Sequence, residues 1–454
     1  MENEKLQKIT NLFLEKPIIV DDLFDNHPYD LSRALLELDE EQRQHVFQDL
    51  SAANLAVILE FVDEEKLLEI FEEMTPKLIV NIIQELDIDD AVDVINLMPE
   101  RDRAGFLKLM DTDHQAKIRV LLQYEEDTAG AIMTTEYVEI SVKDTVEIAM
   151  KKLLSQAVEA ETIYTIYIVD AKDILVGTLS LREMILARKG QNIRDIMNDQ
   201  VISVKTHYDQ EDVARLFRDY DFSTLPVVDG LNRMIGIITI DDIVDVIEEE
   251  AQEDFSRFAG VSDVEIDGSS ETVWDSVKKR IPWLLVLSLL GFVTSAIISQ
   301  FEDALAAVPT IALFMPMILG MAGNTGTQAL AVTVRALNSN AFNKRSEVRN
   351  HLFRELGTGL LNGIIIGVIL FIITFGFLYV SDNVYALDIA IVVSISIVVS
   401  LSVSTFAGAL IPIGINAVHI DPAVASGPFV TVINDILALS VYFILAVTLI
   451  TSTL

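Results

Sequence analysis

Asp435 is the only charged side chain in the last 33 positions and lies midway along an apolar run from Ala423 to Ile450. A carboxylate at that depth in hydrocarbon costs several kcal/mol or more, so it is kept where a polar path or a cation faces it. Gly427, Thr431 and Asp435 recur every four residues and share one helical face, and the Gly427-Pro428 step frees backbone carbonyls beside them. Gly320, Asn324 and Gln328 repeat the spacing in an earlier apolar stretch, where Gly323 and Gly326 allow close backbone approach. Carboxylate, amide and carbonyl oxygens are what a hydrated Mg²⁺ accepts, because it gives up water reluctantly. Asn324 and Gln328 read equally well as hydrogen bonds between helices.

A second set of oxygens lies outside the apolar half. The segment DDIVDVIEEEAQED carries Asp241, Asp242, Asp245, Glu248, Glu249, Glu250, Glu253 and Asp254 with no base. Ile243, Val246 and Ile247 give it an apolar stripe, so its carboxylates crowd at the repelling i, i+3 and i, i+4 spacings. It reads as a solvated acidic helix or as one that divalent cations relieve, and its position directly before the first apolar span favours the second. Asp89 and Asp93 lie one helical turn apart, and Asp209, Glu211 and Asp221 cluster further on. Capping and surface placement account for each singly; facing the acidic helix, they would form Mg²⁺ sites with Asp242, Asp245, Glu250, Glu253 and Asp254.

Other chemistries find no residues. There is no cysteine, which excludes thiolate metal sites, disulfides and thiol redox work. The six histidines never pair at i, i+3 or i, i+4, and neither a nucleophile–base set nor a phosphate-cradling glycine loop occurs, so no enzyme is expected. The acidic surface disfavours nucleic acid as a partner.

These groups must be positioned by two unlike halves. After Arg280 the chain has five bases (Arg335, Lys344, Arg345, Arg349, Arg354) against eight acids; the first 280 residues hold 28 bases against 61 acids, a net of −33. Five apolar stretches are long enough to cross a bilayer: Ile281 to Gln300, Thr310 to Arg335, Leu356 to Val380, Leu387 to Ile413 and Ala423 to Thr451. Lys278, Lys279, Arg280 and the later bases precede the first span or flank the loop between the second and third, which puts the acidic half in the cytoplasm and the C-terminus outside a multi-pass cytoplasmic-membrane protein. The start MENEKLQKIT has no apolar core, so no cleaved signal peptide is expected.

The acidic half opens with a repeat. Asp39, Ser51, Asp63, Thr75, Asp87, Pro99 and Asp111 fall twelve apart, each preceded by an apolar residue (Leu38, Leu50, Val62, Met74, Leu86, Met98, Met110). All but Pro99 are helix N-cap types with a staple residue before them, which predicts short helices stacked as a superhelix to about Tyr124.

From Thr128 the pattern turns to strands mixed with helices. An I-M entry, an amphipathic helix, a V-D strand and a G-x-[IVL]-[ST]-x-x-[DE] exit occur twice, in AGAIMTTEYVEISVKDTVEIAMKKLL with TIYIVDAKDILVGTLSLREMI, and in the segment beginning IRDIMNDQVISV. This resembles a pair of CBS modules, a family that binds adenine nucleotides or serves only to dimerise. The resemblance implies nucleotide contacts at Ser180 with Glu183 and at Thr239 with Asp242, and makes ATP the candidate cofactor; Glu183 stands where the family pattern has Asp.

The apolar half carries PMILGMAGNTGTQAL and DPAVASGPFVTVIND. With the helical start, the CBS pair and the acidic segment, these resemble the MgtE family of magnesium channels and transporters over essentially the whole chain. The resemblance implies a homodimer in a lipid bilayer with a pore on its two-fold axis, Mg²⁺ held by the last-span acid, here Asp435, and gating by intracellular Mg²⁺. The expected architecture is mixed: a cytoplasmic α-helical domain (1–126), α/β CBS domains (127–190 and 191–247), an acidic plug-type linker helix (241–278) and an all-α pore domain of five transmembrane helices (279–454). Asn324 and Thr431 are candidate pore ligands beside Asp435. The competing reading is a membrane-anchored metal or nucleotide sensor that transports nothing. A CBS-regulated chloride channel is excluded, because the mid-membrane charge is acidic and no base accompanies it.

Overall fold

The twelve-residue phase is realised as helix starts. In the computed structural model, which describes residues 2–158, 160–261, 272–339, 341–342, 344–418, 420–422 and 425–450, three helices come first: α1 (Glu2–Phe13), α2 (Val20–Phe24) and α3 (Pro28–Leu36). Seven follow: α4 (Glu40–Asp49), α5 (Ala52–Leu59), α6 (Glu64–Glu72), α7 (Pro76–Ile83), α8 (Ile88–Leu97), α9 (Glu100–Leu109) and α10 (Thr112–Leu121). Each of these seven begins one residue after a member of the repeat. Asp39, Ser51, Thr75 and Asp111 accept backbone N–H bonds in the first turn, satisfying donors that a helix start leaves open. Asp63 and Asp87 make no such side-chain cap, so the Asp87 carboxylate is left for other use. Leu38, Leu50, Val62, Met74, Met98 and Met110 are buried and Leu86 partly so, all within one core.

Two copies of one strand plan follow. β1 (Glu139–Ser141), α11 (Val146–Gln156), β2 (Thr165–Val169), β3 (Leu175–Ser180) and α12 (Leu181–Leu186) form the first; β4 (Val204–Lys205), α13 (Gln210–Tyr220), β5 (Thr224–Val228) and β6 (Met234–Thr239) form the second. In each sheet the first pair is parallel and the second antiparallel, with a register shift at the same place, Ile168/Val169 and Val227/Val228. The modules exchange their entry segments: Thr134 bridges Ile237, and Asn198 bridges Thr178. This crossing explains the exit glycines. A Cβ on Gly236 would lie 2.7 Å from Met133 Sδ and from the Thr134 carbonyl, and one on Gly177 would lie 2.7 Å from Met197 Sδ. The methionine of each entry therefore passes over the glycine of the other module's exit. Tyr167, fully buried between the modules, donates to Thr224 Oγ1 at 2.9 Å.

The chain divides into two compact units, Met1–Glu248 and Glu249–Leu454, and α14 (Ile240–Ala259) runs across the division. Residues 262–271 of the expected linker lie outside the described residues, as do Ala423 and Thr451, the expected limits of the fifth span.

The second unit holds α15 (Val273–Gln300), α16 (Glu302–Ala307), α17 (Met315–Asn338), α18 (Arg345–Val380), α19 (Ala386–Asn416) and α20 (Gly427–Ile450). Among the described residues four stretches are long and apolar enough to cross a bilayer: Ser276–Gln300, Arg345–Val380, Ala386–Asn416 and Gly427–Thr448. The expected span from Thr310 to Arg335 is a helix only from Met315, after a 3₁₀ turn over Pro309–Phe314, and its Asn, Gln and Thr content keeps it below that apolarity. Pro309 and Pro316 each stand at the start of a helical segment, where the missing N–H costs nothing. Gly359, Gly363 and Gly367 bring α18 onto α19, where a Cβ would meet Leu401 O at 2.8 Å, Val398 Cα at 2.8 Å and Ser394 O at 3.1 Å. Leu284, Leu285, Leu289 and Phe292 of α15 point outward, as hydrocarbon requires.

Candidate cation sites

Two helix starts and one loop bring carboxylates together in the first unit. α8 opens with Asp89 and Asp90 behind its cap residue Asp87, and α14 opens with Asp241 and Asp242 behind Thr239. First-turn acids are locally favoured by the helix dipole. Between them Glu161 comes from the loop after α11, and Asp89, Glu161 and Asp242 each present an oxygen within 4.8 Å of the others. Asp89 is 8% exposed, and its Oδ1 and Glu161 Oε2 are buried without a hydrogen-bond partner among the described residues. Thr239 Oγ1 donates to Asp242 Oδ2 at 2.5 Å and steadies it.

Burial, and then the neighbouring charges of Asp242, Glu161 and Asp90, hold the Asp89 carboxyl well above the ordinary range. Burial and Asp242 push Glu161 up to about 8, and burial with Glu60 and Asp87 pushes Asp90 up to about 7. Glu60, Asp87 and Asp242 are raised too, again chiefly by burial. Octahedral Mg²⁺ with ligands at about 2.1 Å sets oxygens roughly 3–4 Å apart, so the cluster needs only a small contraction around such an ion. Hard, crowded, partly orphaned oxygens fit a divalent cation.

Of the other acids expected to join this site, three are engaged on α13 itself. Asp209 caps α13 through Glu211 N at 2.9 Å, Glu211 pairs with Arg215 at 2.6 Å, and Asp221 is the exposed left-handed C-cap of α13 (φ 54°). Asp93 and Asp245 are exposed. Glu161, Asp90, Glu60 and Asp87 carry no such signal in the sequence: Asp87 has the form of a helix cap, and single acids in short loops or beside another acid show no spacing pattern.

In the second unit the later linker acids have partners of their own. Glu253 pairs with Arg257, which also pairs with Asp421, while Asp254 accepts from Asn338 Nδ2 at 2.7 Å. Half-buried Glu250 contributes to the field at Arg257. The base, four residues after Glu253, stands just outside the acidic run of residues 241–254.

Of the CBS positions, Ser180 and Glu183 close a capping box at the start of α12, with Ser180 Oγ donating to Glu183 Oε2 at 2.7 Å. Thr239 and Asp242 belong to the carboxylate cluster just described.

Asp435 is half-buried on α20. On its face Thr431 donates to the Gly427 carbonyl at 2.9 Å and lies 3.2 Å from Thr327 Oγ1 of α17, while Gly323 gives room for the Thr431 methyl, 2.8 Å from where a Cβ would stand. The GNTGTQ stretch and the last apolar helix therefore pack against each other. Gly320, Asn324 and Gln328 form an exposed row on α17. Outward placement removes the reading in which the two amides tie helices together within one chain.

Comparison with known proteins gives the same division. Residues 315–445 match the MgtE family described as divalent cation transporters, 26–127 the MgtE intracellular N domain, and 129–190 and 193–249 CBS domains. A magnesium transporter MgtE of Thermus thermophilus is 38% identical over 426 residues, 92% of each chain. One of Enterococcus faecalis is 41% identical over 335 residues, covering 74% of this chain and 72% of the relative. A crystal structure of the soluble part of a magnesium transporter matches at a TM-score of 0.52 and 38% identity, over 55% of this chain and all of that one. With 38% identity to a magnesium transporter MgtE over 92% of each chain and each domain matched in order, the chain belongs to the MgtE family.

Proposed function

We propose that this protein is a homodimeric Mg²⁺-selective channel or transporter that imports Mg²⁺ across the cytoplasmic membrane. Residues 279–454 act as the pore domain, with α15 and α17–α20 as five spans and the C-terminus outside. Residues 1–126, the CBS domains at 127–190 and 191–247 and the linker at 241–278 act as the intracellular sensor. The observation that carries the reading is the outward row of Asn324 and Gln328 on a helix embedded among apolar ones, packed through Thr327 and Thr431 on the helix of Asp435. Exposed amides in hydrocarbon are costly, so this row faces water or a second copy. In a two-fold dimer with its pore on the axis, two copies of Asp435 would meet there, matching a dication held with most of its water. An anchor that transports nothing would need no such row.

Regulation follows from the cytoplasmic carboxylates. When intracellular Mg²⁺ is plentiful, Asp89, Glu161 and Asp242 would share it and stabilise the start of α14, favouring the closed state; when it is scarce, like charges separate and the linker moves. Asp93, Asp209, Glu211, Asp221, Asp245, Glu250, Glu253 and Asp254 are retained as outer contributors to the same sensing. A nucleotide fits best at the Ser180–Glu183 end of the CBS pair, because the other end is lined by uncompensated carboxylates that repel phosphate. Asp435→Ala should abolish Mg²⁺ flux in liposomes while the dimer survives gel filtration. Wild-type flux from that variant would refute the pore assignment.

A further inference from the structure

Three serines of α19 break the habit of their neighbours. Ser402 and Thr405 of the same helix donate to the carbonyls four residues back, at 2.7 Å each, and Ser440 of α20 does so at 2.8 Å. Ser396, Ser400 and Ser404 are fully buried, yet their hydroxyls have no partner among the described residues. Their spacing of four puts them on one face, with Gly408 continuing the row against Gly326 of α17. Where that row ends, Asn434 of α20 fills the space beside Gly326, and a Cβ on Gly326 would also lie 3.3 Å from the Ser404 carbonyl. Asn434 is fully buried, and neither its Oδ1 nor its Nδ2 has a hydrogen-bond partner among the described residues.

Each such orphaned group is destabilising when left dry, because it has given up its hydrogen bonds to water and gained none. Oδ1 needs a donor, Nδ2 needs an acceptor, and each serine hydroxyl offers both roles. A bare cation would suit the oxygens and repel Nδ2, and the row has no carboxylate to hold a divalent ion. A small neutral molecule that donates and accepts satisfies every atom. We propose that the membrane unit binds a file of water between α17, α19 and α20, bounded by Asn434, Ser404, Ser400 and Ser396. The serine row alone spans about 12 Å at 1.5 Å per residue. Asn434 and Asp435 are adjacent, about 100° apart around the helix, so this wet seam lies on a different face of α20 from Asp435 and Thr431. It gives the helix of Asp435 a polar back wall within each protomer, independent of any path on a two-fold axis.

The absence of native cysteine makes the test direct. Ser400→Cys and Ser404→Cys are introduced singly into the full chain in liposomes, with Ile397→Cys as control, since Ile397 is equally buried but belongs to an apolar cluster. The probe is Ag⁺, read as loss of maleimide labelling after denaturation. Because a thiol reacts through its water-exposed form, at least about tenfold faster capture at position 400 or 404 than at 397 is expected. Equal rates, whether slow or fast, would overturn the proposal. If crowding at Gly326 prevents Ser404→Cys from folding, Ser396→Cys at the other end of the row tests the same claim.

Discussion

Replacing Asp89 with Asn should produce two effects of opposite sign. Asp89, Glu161 and Asp242 keep oxygens within 4.8 Å of each other. At that separation and an effective dielectric of about 20, each fully charged pair repels by roughly 3.5 kcal/mol. Proton uptake relieves part of this, since Asp89 itself is held well above the ordinary range, Glu161 is pushed up to about 8 and Asp90 to about 7. Removing the Asp89 charge should therefore stabilise the metal-free protein by about 1–3 kcal/mol, or roughly 3–10 °C in the melting of a unit this size. In the wild type, Mg²⁺ at a hundred times its dissociation constant should add about 2.7 kcal/mol; the variant should lose most of that gain. The assay is scanning calorimetry of the full chain in detergent, in EDTA and across a Mg²⁺ titration. A variant that melts lower in EDTA and responds to Mg²⁺ like the wild type would refute the idea that repulsion at this cluster is relieved by the ion.

The raised carboxyls also fix the direction of the pH dependence. Their folded-state values lie above their ordinary ones, so the stability they contribute is complete below the ordinary 3.8–4.5 and is lost as pH rises through about 7 for Asp90 and about 8 for Glu161. Metal-free protein should lose stability across that window in calorimetry, and excess Mg²⁺ should flatten the loss. Gly236→Ala should cost about 1–3 kcal/mol, because the new methyl meets Met133 and the Thr134 carbonyl; urea unfolding measures it. Arg257→Gln breaks contacts to Glu253 and Asp421 that are partly exposed, so the expected loss is below about 1 kcal/mol. It should appear as faster deuterium exchange in the last turn of α14, and unchanged exchange would show that the pairing is incidental.

The evenly spaced short helices, the duplicated CBS plan and the apolar helices of the second unit were legible in the sequence because each is written locally. A cap residue and its staple sit next to the helix that they start, and an apolar run long enough to cross hydrocarbon needs no partner to be noticed. The seven helix starts at twelve-residue spacing show how far such short-range signals reach. Asp435 and the acidic start of α14 were visible for the same reason, as charge where charge is costly.

What surrounds those groups was decided in three dimensions. Glu161 joins Asp89 and Asp242 only because the chain folds a loop of the first CBS module between two helix starts. Asp209, Glu211 and Asp221 had as much claim by type, and they were taken up by the caps and ion pair of α13. Asn324 and Gln328 could have bonded inward or faced outward, and the packing of α17 against α20 turned them out. A side chain's type sets which partners it can accept, but electrostatic coupling decays over a few ångströms, so only the path of the backbone determines which of those partners are near enough to matter.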